Sequence, residues 1–168
     1  MTDDSVHRLI HDSPLGPLAL EGGRWGLRSV RFDDDAPGAT GEPGGLADVA
    51  RQLDEYFAGD RRAFEVPLDL RGGPLEMRVW EELRRIPLGT TVSYAQLAAA
   101  VGRPDAVRAV AGAVARTPVP IVIPCHRVIG SDGSLRGYVG GLERKAALLD
   151  RERVAVAPAA GAPQLELL

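Results

Sequence analysis

Strand-like alternation of apolar residues is confined to the part of the chain before Arg71-Gly72-Gly73-Pro74, and beyond it the recurring apolar spacing is helical. That change of period predicts two units of different class, with the boundary at residues 71–74. Val6 to His11, Leu18-Ala19-Leu20 and a segment within Trp25 to Phe32 read as three strands of a small antiparallel meander. The acidic, Gly- and Pro-rich stretch from Asp33 to Gly45 reads as a loop. Leu46, Val49, Ala50, Leu53, Tyr56 and Phe57 then recur at helical spacing until Gly59. Phe64 to Leu70, interrupted by Pro67, reads as an edge strand or extended linker.

Past the boundary, Leu75, Val79, Trp80, Leu83 and Ile86 mark a helix that stops at Pro87 and Gly89. Ser93 suits the N-cap of a helix carrying Tyr94, Leu97, Ala98 and Val101, which Gly102 ends. Pro104 is expected to open another helix, from about Asp105 to Arg116, with Val107, Val110, Ala111 and Val114 as its apolar face. Ile121-Val122-Ile123 is a short buried run leading into Pro124-Cys125-His126. A last helix is expected from Leu142 to about Arg153, with Leu142, Ala146 and Leu149 inward. The fold class is therefore α+β: a small antiparallel sheet with a helix over residues 1–70, then a mostly helical unit over 71–153. Residues 154–168, rich in Ala, Pro and Gly, are expected to be a disordered tail.

The 168 residues carry a formal charge of −3, which alone argues against a polyanionic partner. The charge is unevenly spread. Residues 1–70 hold 7 Arg and 14 Asp or Glu, whereas residues 71–153 hold 13 Arg or Lys and 8 Asp or Glu. Any polyanion should thus meet the second half. No apolar run approaches about 18 residues, so no membrane partner is expected. The acidic N-terminus lacks a secretory pattern, making the cytoplasm the default location. The single cysteine, Cys125, excludes an intrachain disulfide, and with three His it excludes a cysteine-rich zinc site.

The two helices around Gly102 have helix-turn-helix proportions. On the outer face of the second lie Ala109, Gly112 and Arg116, with Arg108 at the flank. Small residues there allow close backbone approach to a partner, and an Arg beside them can contact phosphate or enter a base stack. Readers of base edges carry several Arg, Asn or Gln on such a helix, so this one suits a contact that depends on shape. An ordinary helical hairpin has the same spacing.

Cys125 beside His126 is the chemically sharpest pair. Thiolate is the reactive form of cysteine, and a neighbouring proton acceptor favours it. An inert buried Cys beside a surface His has the same two letters. The surrounding residues discriminate. Pro118-Val119-Pro120-Ile121-Val122-Ile123-Pro124-Cys125-His126-Arg127-Val128-Ile129-Gly130 closely resembles the active-site signature of the O6-alkylguanine-DNA alkyltransferases, the methylated-DNA–protein-cysteine methyltransferases. The resemblance extends through Val79-Trp80, Pro87-Leu88-Gly89, Ser93-Tyr94 and Arg108-Ala109-Val110 to Gly137-Tyr138-Val139-Gly140-Gly141-Leu142, Lys145 and Leu148-Leu149. It covers residues 74–152 well and residues 1–70 in outline only.

The resemblance implies a ribonuclease H-like N-terminal unit and a substrate of double-stranded DNA carrying O6-alkylguanine, bound from the minor groove with the damaged nucleotide flipped out. It implies that Arg108 fills the gap in the stack and that Ser93, Ala109, Gly112 and Arg116 belong to the DNA-binding surface. It further implies that Tyr94 crowds the phosphate and, with the Val139 N–H, donates to the base. Carbonyls of Cys125 and Val128 would accept from the guanine amino group. Tyr138 and Pro120 would line the pocket, and Lys145 would support it or the departing base. Cys125 would attack the alkyl carbon, His126 would take its proton through a water, and Glu152 would orient His126. The thioether product is stable, so one protein repairs one base. No cofactor is implied. A monomer is expected, with cooperative assembly on DNA and activity on O4-alkylthymine left open.

Two positions, and one missing set of ligands, depart from the family pattern. Thr117 stands where an Asn usually ties the active-site loop to the recognition helix, so it is the expected structural hinge with a poorer hydrogen-bond repertoire. Val139 replaces the usual Ser or Gly and narrows the pocket. The Cys ligands that bind zinc in some members are missing, so no metal is expected. A lesion-binding module whose chemistry Thr117 and Val139 have impaired is the alternative reading. A thiol hydrolase would need oxyanion donors that the sequence does not point to.

Overall fold

The computed structural model describes residues 5–38 and 40–157. Strands β1 (His7–His11), β2 (Leu18–Gly23) and β3 (Gly26–Phe32) form the antiparallel meander, with β2 central between its neighbours. A two-residue strand, β4 (Thr40–Gly41), adds to the free edge of β1 inside the stretch expected to be a loop. Helix α1 (Ala47–Phe57) follows a 3-10 turn, Gly44–Leu46. Leu18, Leu20, Leu27 and Val30 of the sheet and Leu46, Val49 and Leu53 of the helical segment are buried together. Residues 64–70 lie between the two readings offered by the sequence: an extended linker that pairs in parallel with the free edge of β3 at a single bridge, Leu27 with Leu68. Leu27 N–H donates there to the Pro67 carbonyl at 2.9 Å and Asp69 N–H to the Leu27 carbonyl at 2.9 Å. Gly26, at φ 135°, lets the two segments approach, since a Cβ there would stand 2.4 Å from the Pro67 oxygen.

Helix α2 (Pro74–Leu83) begins on its proline, and Trp80 Nε1 donates to the Ala113 carbonyl at 2.9 Å, fastening it to the helix over residues 107–115. Helix α3 (Tyr94–Ala100) has a reciprocal cap: Gln96 N–H donates to Ser93 Oγ at 3.0 Å, and Ser93 N–H to Gln96 Oε1 at 2.8 Å. It ends in a Schellman turn on Gly102 (φ 76°), with Arg103 N–H bonded to the Ala98 carbonyl and Gly102 N–H to that of Ala99.

Helix α4 spans Val107–Ala115, shorter than the expected 105–116. Pro104 forms a turn, with Ala106 N–H bonded to the Arg103 carbonyl, instead of opening the helix. The buried face of α4 is Val110, Ala113 and Val114, whereas Val107 and Ala111 are only half-buried. Helix α5 (Leu142–Val156) takes in the first three residues of the expected tail, and residues 158–168 lie outside the described part. Its inward face also differs. Lys145, Leu148 and Glu152 are buried, while Leu142 is exposed, because α5 serves a polar site as well as the core.

One contiguous apolar core runs through both halves. No described helix is long and apolar enough to cross a membrane. The short parallel pair of β5 (Val92–Ser93) and β6 (Val128–Ile129) joins the start of α3 to the residues just after Cys125.

Candidate active site

Cys125, His126 and Arg127 form a single 3-10 turn on a loop fixed from several sides. Val30 N–H of β3 donates to the Pro118 carbonyl at 3.0 Å, and Ile123 N–H to that of Val119 at 2.9 Å. Ile121 has φ 74°, a conformation that strains a β-branched residue by about 1–3 kcal/mol. Its side chain is buried in the core, and that packing offsets the strain. Thr117 is buried and its hydroxyl donates to the Val114 carbonyl at 2.7 Å, which ties the loop to the last turn of α4.

The loop delivers Cys125 to a cavity of about 680 Å³. One wall is Tyr94 and Ala95 of α3 with Val107, Arg108, Ala111, Val114 and Ala115 of α4. The other is the 130–139 segment, with Gly130, Ser131, Arg136, Gly137, Tyr138 and Val139. The pairing of β5 with β6 explains why Tyr94 and Cys125, 31 positions apart, share this space. Arg108 lies at the cavity, solvent-exposed.

Behind Cys125 is a buried polar cluster centred on Glu152. His126 Nε2 lies 2.7 Å from Glu152 Oε2, Arg127 Nε donates to Oε1 at 2.7 Å, and Arg127 Nη2 donates to Oε2 at 2.9 Å. Arg127 Nη1 also donates to the Ile86 carbonyl. The fourth contact comes from the N-terminal half, where Tyr56 Oη of α1 donates to Glu152 Oε2 at 2.7 Å. Burial opposes charge on Glu152, but His126 and Arg127 outweigh it and hold its pKa down at about 2. An ionised carboxylate only accepts, so His126 Nε2 carries the proton and Nδ1 keeps its lone pair. Nδ1 is buried without a hydrogen-bond partner. Burial lowers the His126 pKa against the pull of Glu152, so the ring is neutral.

Burial pushes the Cys125 thiol up to about 11, opposed by the Thr117 hydroxyl, the Lys145 ammonium and nearby amides. The sulfur is a neutral thiol at rest and would need a base to act as a nucleophile. Lys145 is itself buried, and burial lowers its pKa while Cys125 raises it. Its Nζ lies 3.3 Å from the Gly137 carbonyl and 5.9 Å from the centre of the Tyr94 ring. Burial, then Cys125, raises the Tyr94 pKa, so that hydroxyl remains a donor.

The structure thus brings Tyr94, Arg108, Cys125, Tyr138 and Val139 to one cavity, with His126, Lys145 and Glu152 buried around its reactive end. Pro120 is buried but does not line the cavity; its bridge to Ile123 folds it into the loop's own support. Val128 is fully buried in β6, and Ser93 is occupied as the cap of α3. Ala109 and Gly112 lie outside the cavity lining, and Arg116 is drawn to α2, where its Nε bonds Glu76 Oε2 at 2.9 Å. Among the described residues no group of three His, Cys, Asp or Glu could hold a metal ion.

Tyr56, Arg127 and Arg136 belong to the site without having been singled out in the sequence. Helical spacing presents Tyr56 as one more core residue, although a buried tyrosine hydroxyl always needs a partner. Changing Tyr56 to Phe removes one hydrogen bond to a buried charge and should lower stability by about 2 kcal/mol. A urea midpoint equal to that of the unchanged protein would contradict the assignment of this hydroxyl to Glu152.

Two family models match. That of the 6-O-methylguanine DNA methyltransferase ribonuclease-like domain covers residues 6–70, and that of the DNA-binding domain covers residues 74–154. The methylated-DNA–protein-cysteine methyltransferase of Mycobacterium tuberculosis is 43% identical over 153 residues, 88% of this chain and 93% of the relative. The constitutive enzyme of that name from Bacillus subtilis is 53% identical over 110 residues, 65% of this chain and 67% of the relative. Among solved structures, the Mycobacterium tuberculosis O6-methylguanine methyltransferase superposes with a TM-score of 0.80 at 43% identity, covering 92% of this chain and 96% of that one. The same organism's OGT in complex with DNA gives 0.79 at 44% identity, covering 89% and 94%. With both halves matched by the family's models and a relative 43% identical over 88% of the chain, this chain belongs to the 6-O-methylguanine DNA methyltransferase family.

Proposed function

We propose that the chain is a direct-reversal DNA repair protein that moves the alkyl group of O6-alkylguanine in double-stranded DNA onto its own Cys125, once and irreversibly. The observation that carries this is a neutral thiol, the chain's one cysteine, lining a cavity large enough for a flipped nucleotide, followed in the chain by a buried neutral histidine with one lone pair unpartnered. The names of the curated relatives support the reaction, and the DNA complex of a close structural relative supports the partner.

His126 Nδ1 draws the thiol proton through a water, and Glu152 stabilises the imidazolium that forms. Cys125 Sγ then attacks the alkyl carbon in line with the C–O6 bond, and the electron pair leaves on the guanine. Guanine is a poor anionic leaving group. The Tyr94 hydroxyl and the Val139 amide compensate by donating to the base, the carbonyls of Cys125 and Val128 accept from its amino group, and the Lys145 charge supports the pocket. Tyr138 provides the wall beside base and alkyl group, with Pro120 bracing the loop and Thr117 holding it to α4. The α3–α4 pair enters the minor groove, with Ser93 setting the aim of Tyr94 and the small side chains Ala109 and Gly112 permitting close approach. Arg116, at the end of α4, reaches phosphate by exchanging its exposed ion pair with Glu76 for the DNA backbone. Arg108 takes the place of the flipped nucleotide in the stack.

Replacing Arg108 with Ala should slow transfer from duplex DNA about 10- to 100-fold, the cost of leaving the gap unfilled. Because the side chain is exposed, fold stability should change by less than about 0.5 kcal/mol. Unchanged single-turnover kinetics would remove Arg108 from the flipping step. The proposal as a whole is tested on the DNA. A duplex with one O6-methylguanine, incubated with excess protein, should be recovered uncut with an ordinary guanine at that position. An excised base, a cut strand or a persisting lesion would overturn it.

A further inference from the structure

Two buried polar atoms on residues around Cys125 lack a partner: Nδ1 of His126, its neighbour in the same turn, and Oη of Tyr138, on the wall of the same cavity. The third such atom among the described residues, Arg61 Nε, belongs to the N-terminal half. An unpaired buried donor or acceptor is costly to a fold, so two of them together at one reactive centre call for a shared partner. The rings that carry them are neighbours. Tyr138 stands edge-on to His126, with centroids 6.4 Å apart and planes at 78°. Phe32 of β3 packs against Tyr138 at 6.1 Å. Gly140, two residues on, lies so close to Phe32 that a Cβ would come within 2.6 Å of its ring. The N-terminal sheet therefore holds the Tyr138 ring in place, and the hydroxyl is not free to seek a partner elsewhere.

We infer that Tyr138 is a positioning residue for proton removal: its hydroxyl donates a hydrogen bond to the water that carries the Cys125 proton to His126 Nδ1. The inference rests on the proposed reading of Cys125 and His126 and adds a third group to it. The S–H proton passes to the water oxygen while a water proton passes to Nδ1. The sulfur is left as thiolate and the ring as imidazolium against Glu152. Tyr138 keeps its own proton throughout, since burial and the nearby Cys125, Tyr56 and Glu152 all raise its pKa. The thiolate then forms the S–C bond as the C–O6 bond breaks.

The test is Tyr138→Phe, which keeps the ring and removes the unpaired hydroxyl. In single-turnover transfer from duplex DNA carrying O6-methylguanine, the limiting rate near neutral pH should fall about three- to tenfold, the worth of one orienting hydrogen bond. The protein concentration for half-saturation should not change, and the melting temperature should hold or rise. The deficit should shrink as pH approaches the value of the thiol itself, near 11, where hydroxide takes the proton directly. The other charged or titratable groups around this point are Tyr56 of α1, Tyr94 of α3, Arg127, Arg136, and Arg144, Lys145 and Glu152 of α5, all unchanged in the variant. A limiting rate equal to that of the unchanged protein at every pH overturns the inference. So does a deficit that is constant across pH or that follows a loss of melting temperature, since either marks a pocket wall only. If the unchanged protein moves no methyl group, the repair reading itself fails, and this inference with it.

Discussion

Cys125→Ala abolishes alkyl transfer and leaves a protein that still folds and still binds duplex DNA. The side chain is small and Ala keeps its β-carbon, so its loss should cost the fold about 1 kcal/mol. The groups proposed to face DNA, Arg108 on α4 and Tyr94 at the start of α3, belong to other elements and remain in place. Chemistry does. The chain has one cysteine, and no second thiol can stand in. The variant should bind DNA carrying the lesion at least as tightly as undamaged DNA and return it unrepaired. This outcome is read by gel shift together with base analysis of the recovered duplex. Residual transfer in Cys125→Ala would assign the acceptor elsewhere, and loss of binding would make Cys125 a structural residue.

Glu152→Gln is the second large effect, and it acts on stability and rate together. The carboxylate accepts from His126, from Arg127 twice and from Tyr56. An amide offers one oxygen and turns an NH2 group toward N–H donors. It also leaves the Arg127 charge buried beside a neutral group. Breaking a buried pair in this way costs about 3–5 kcal/mol. Transfer should slow by about 100-fold on the folded protein, because the imidazolium formed at His126 loses its counter-charge. The acid limb of stability gives a separate readout. The Glu152 pKa is about 2 in the folded chain against an ordinary 4.5. A lowered carboxylate pKa adds stability that is present above 4.5 and lost as pH falls toward 2, about 3 kcal/mol in all. His126, also lowered, acts in the same direction below its ordinary 6.5, because the unfolded chain takes up a proton that the folded chain refuses. Stability of the unchanged protein should thus fall steeply below pH 6, and Glu152→Gln should flatten the part between 4.5 and 2. Equally steep acid unfolding of both proteins would contradict the assignment of that limb to Glu152.

The helices and the meander were legible because each buries a periodic face, and the site was legible where its residues are neighbours in the chain. Cys125-His126-Arg127 is one turn, and Ser93 capping the helix that carries Tyr94 is a local signal. What escaped depends on distance or on exceptions to periodicity. Tyr56 lies 96 positions from the carboxylate it binds, and helical spacing alone marks it as core. The β5–β6 pair is two residues long, too short for any alternation to show. Leu142, Ala146 and Leu149 look like the inward face of α5, yet the buried stripe is Lys145, Leu148 and Glu152, because the interior there is polar. Pro104 has the right spacing to open α4, but its fixed φ also suits a turn, and the turn prevails. The contribution of the N-terminal half was legible only as packing. Its contacts with the site are Val30 on the Pro118 carbonyl, Phe32 behind Tyr138, and Tyr56 on Glu152.

In the proposed reaction Cys125 is the final acceptor of the alkyl group and is consumed. The most direct measurement is the intact mass of the protein after reaction with excess duplex bearing O6-methylguanine, followed by peptide mapping. A gain of one methyl group per chain is expected, located on Cys125, with no further repair however much substrate remains. An unmodified protein, a methyl group on another residue, or repaired bases outnumbering protein molecules would contradict it.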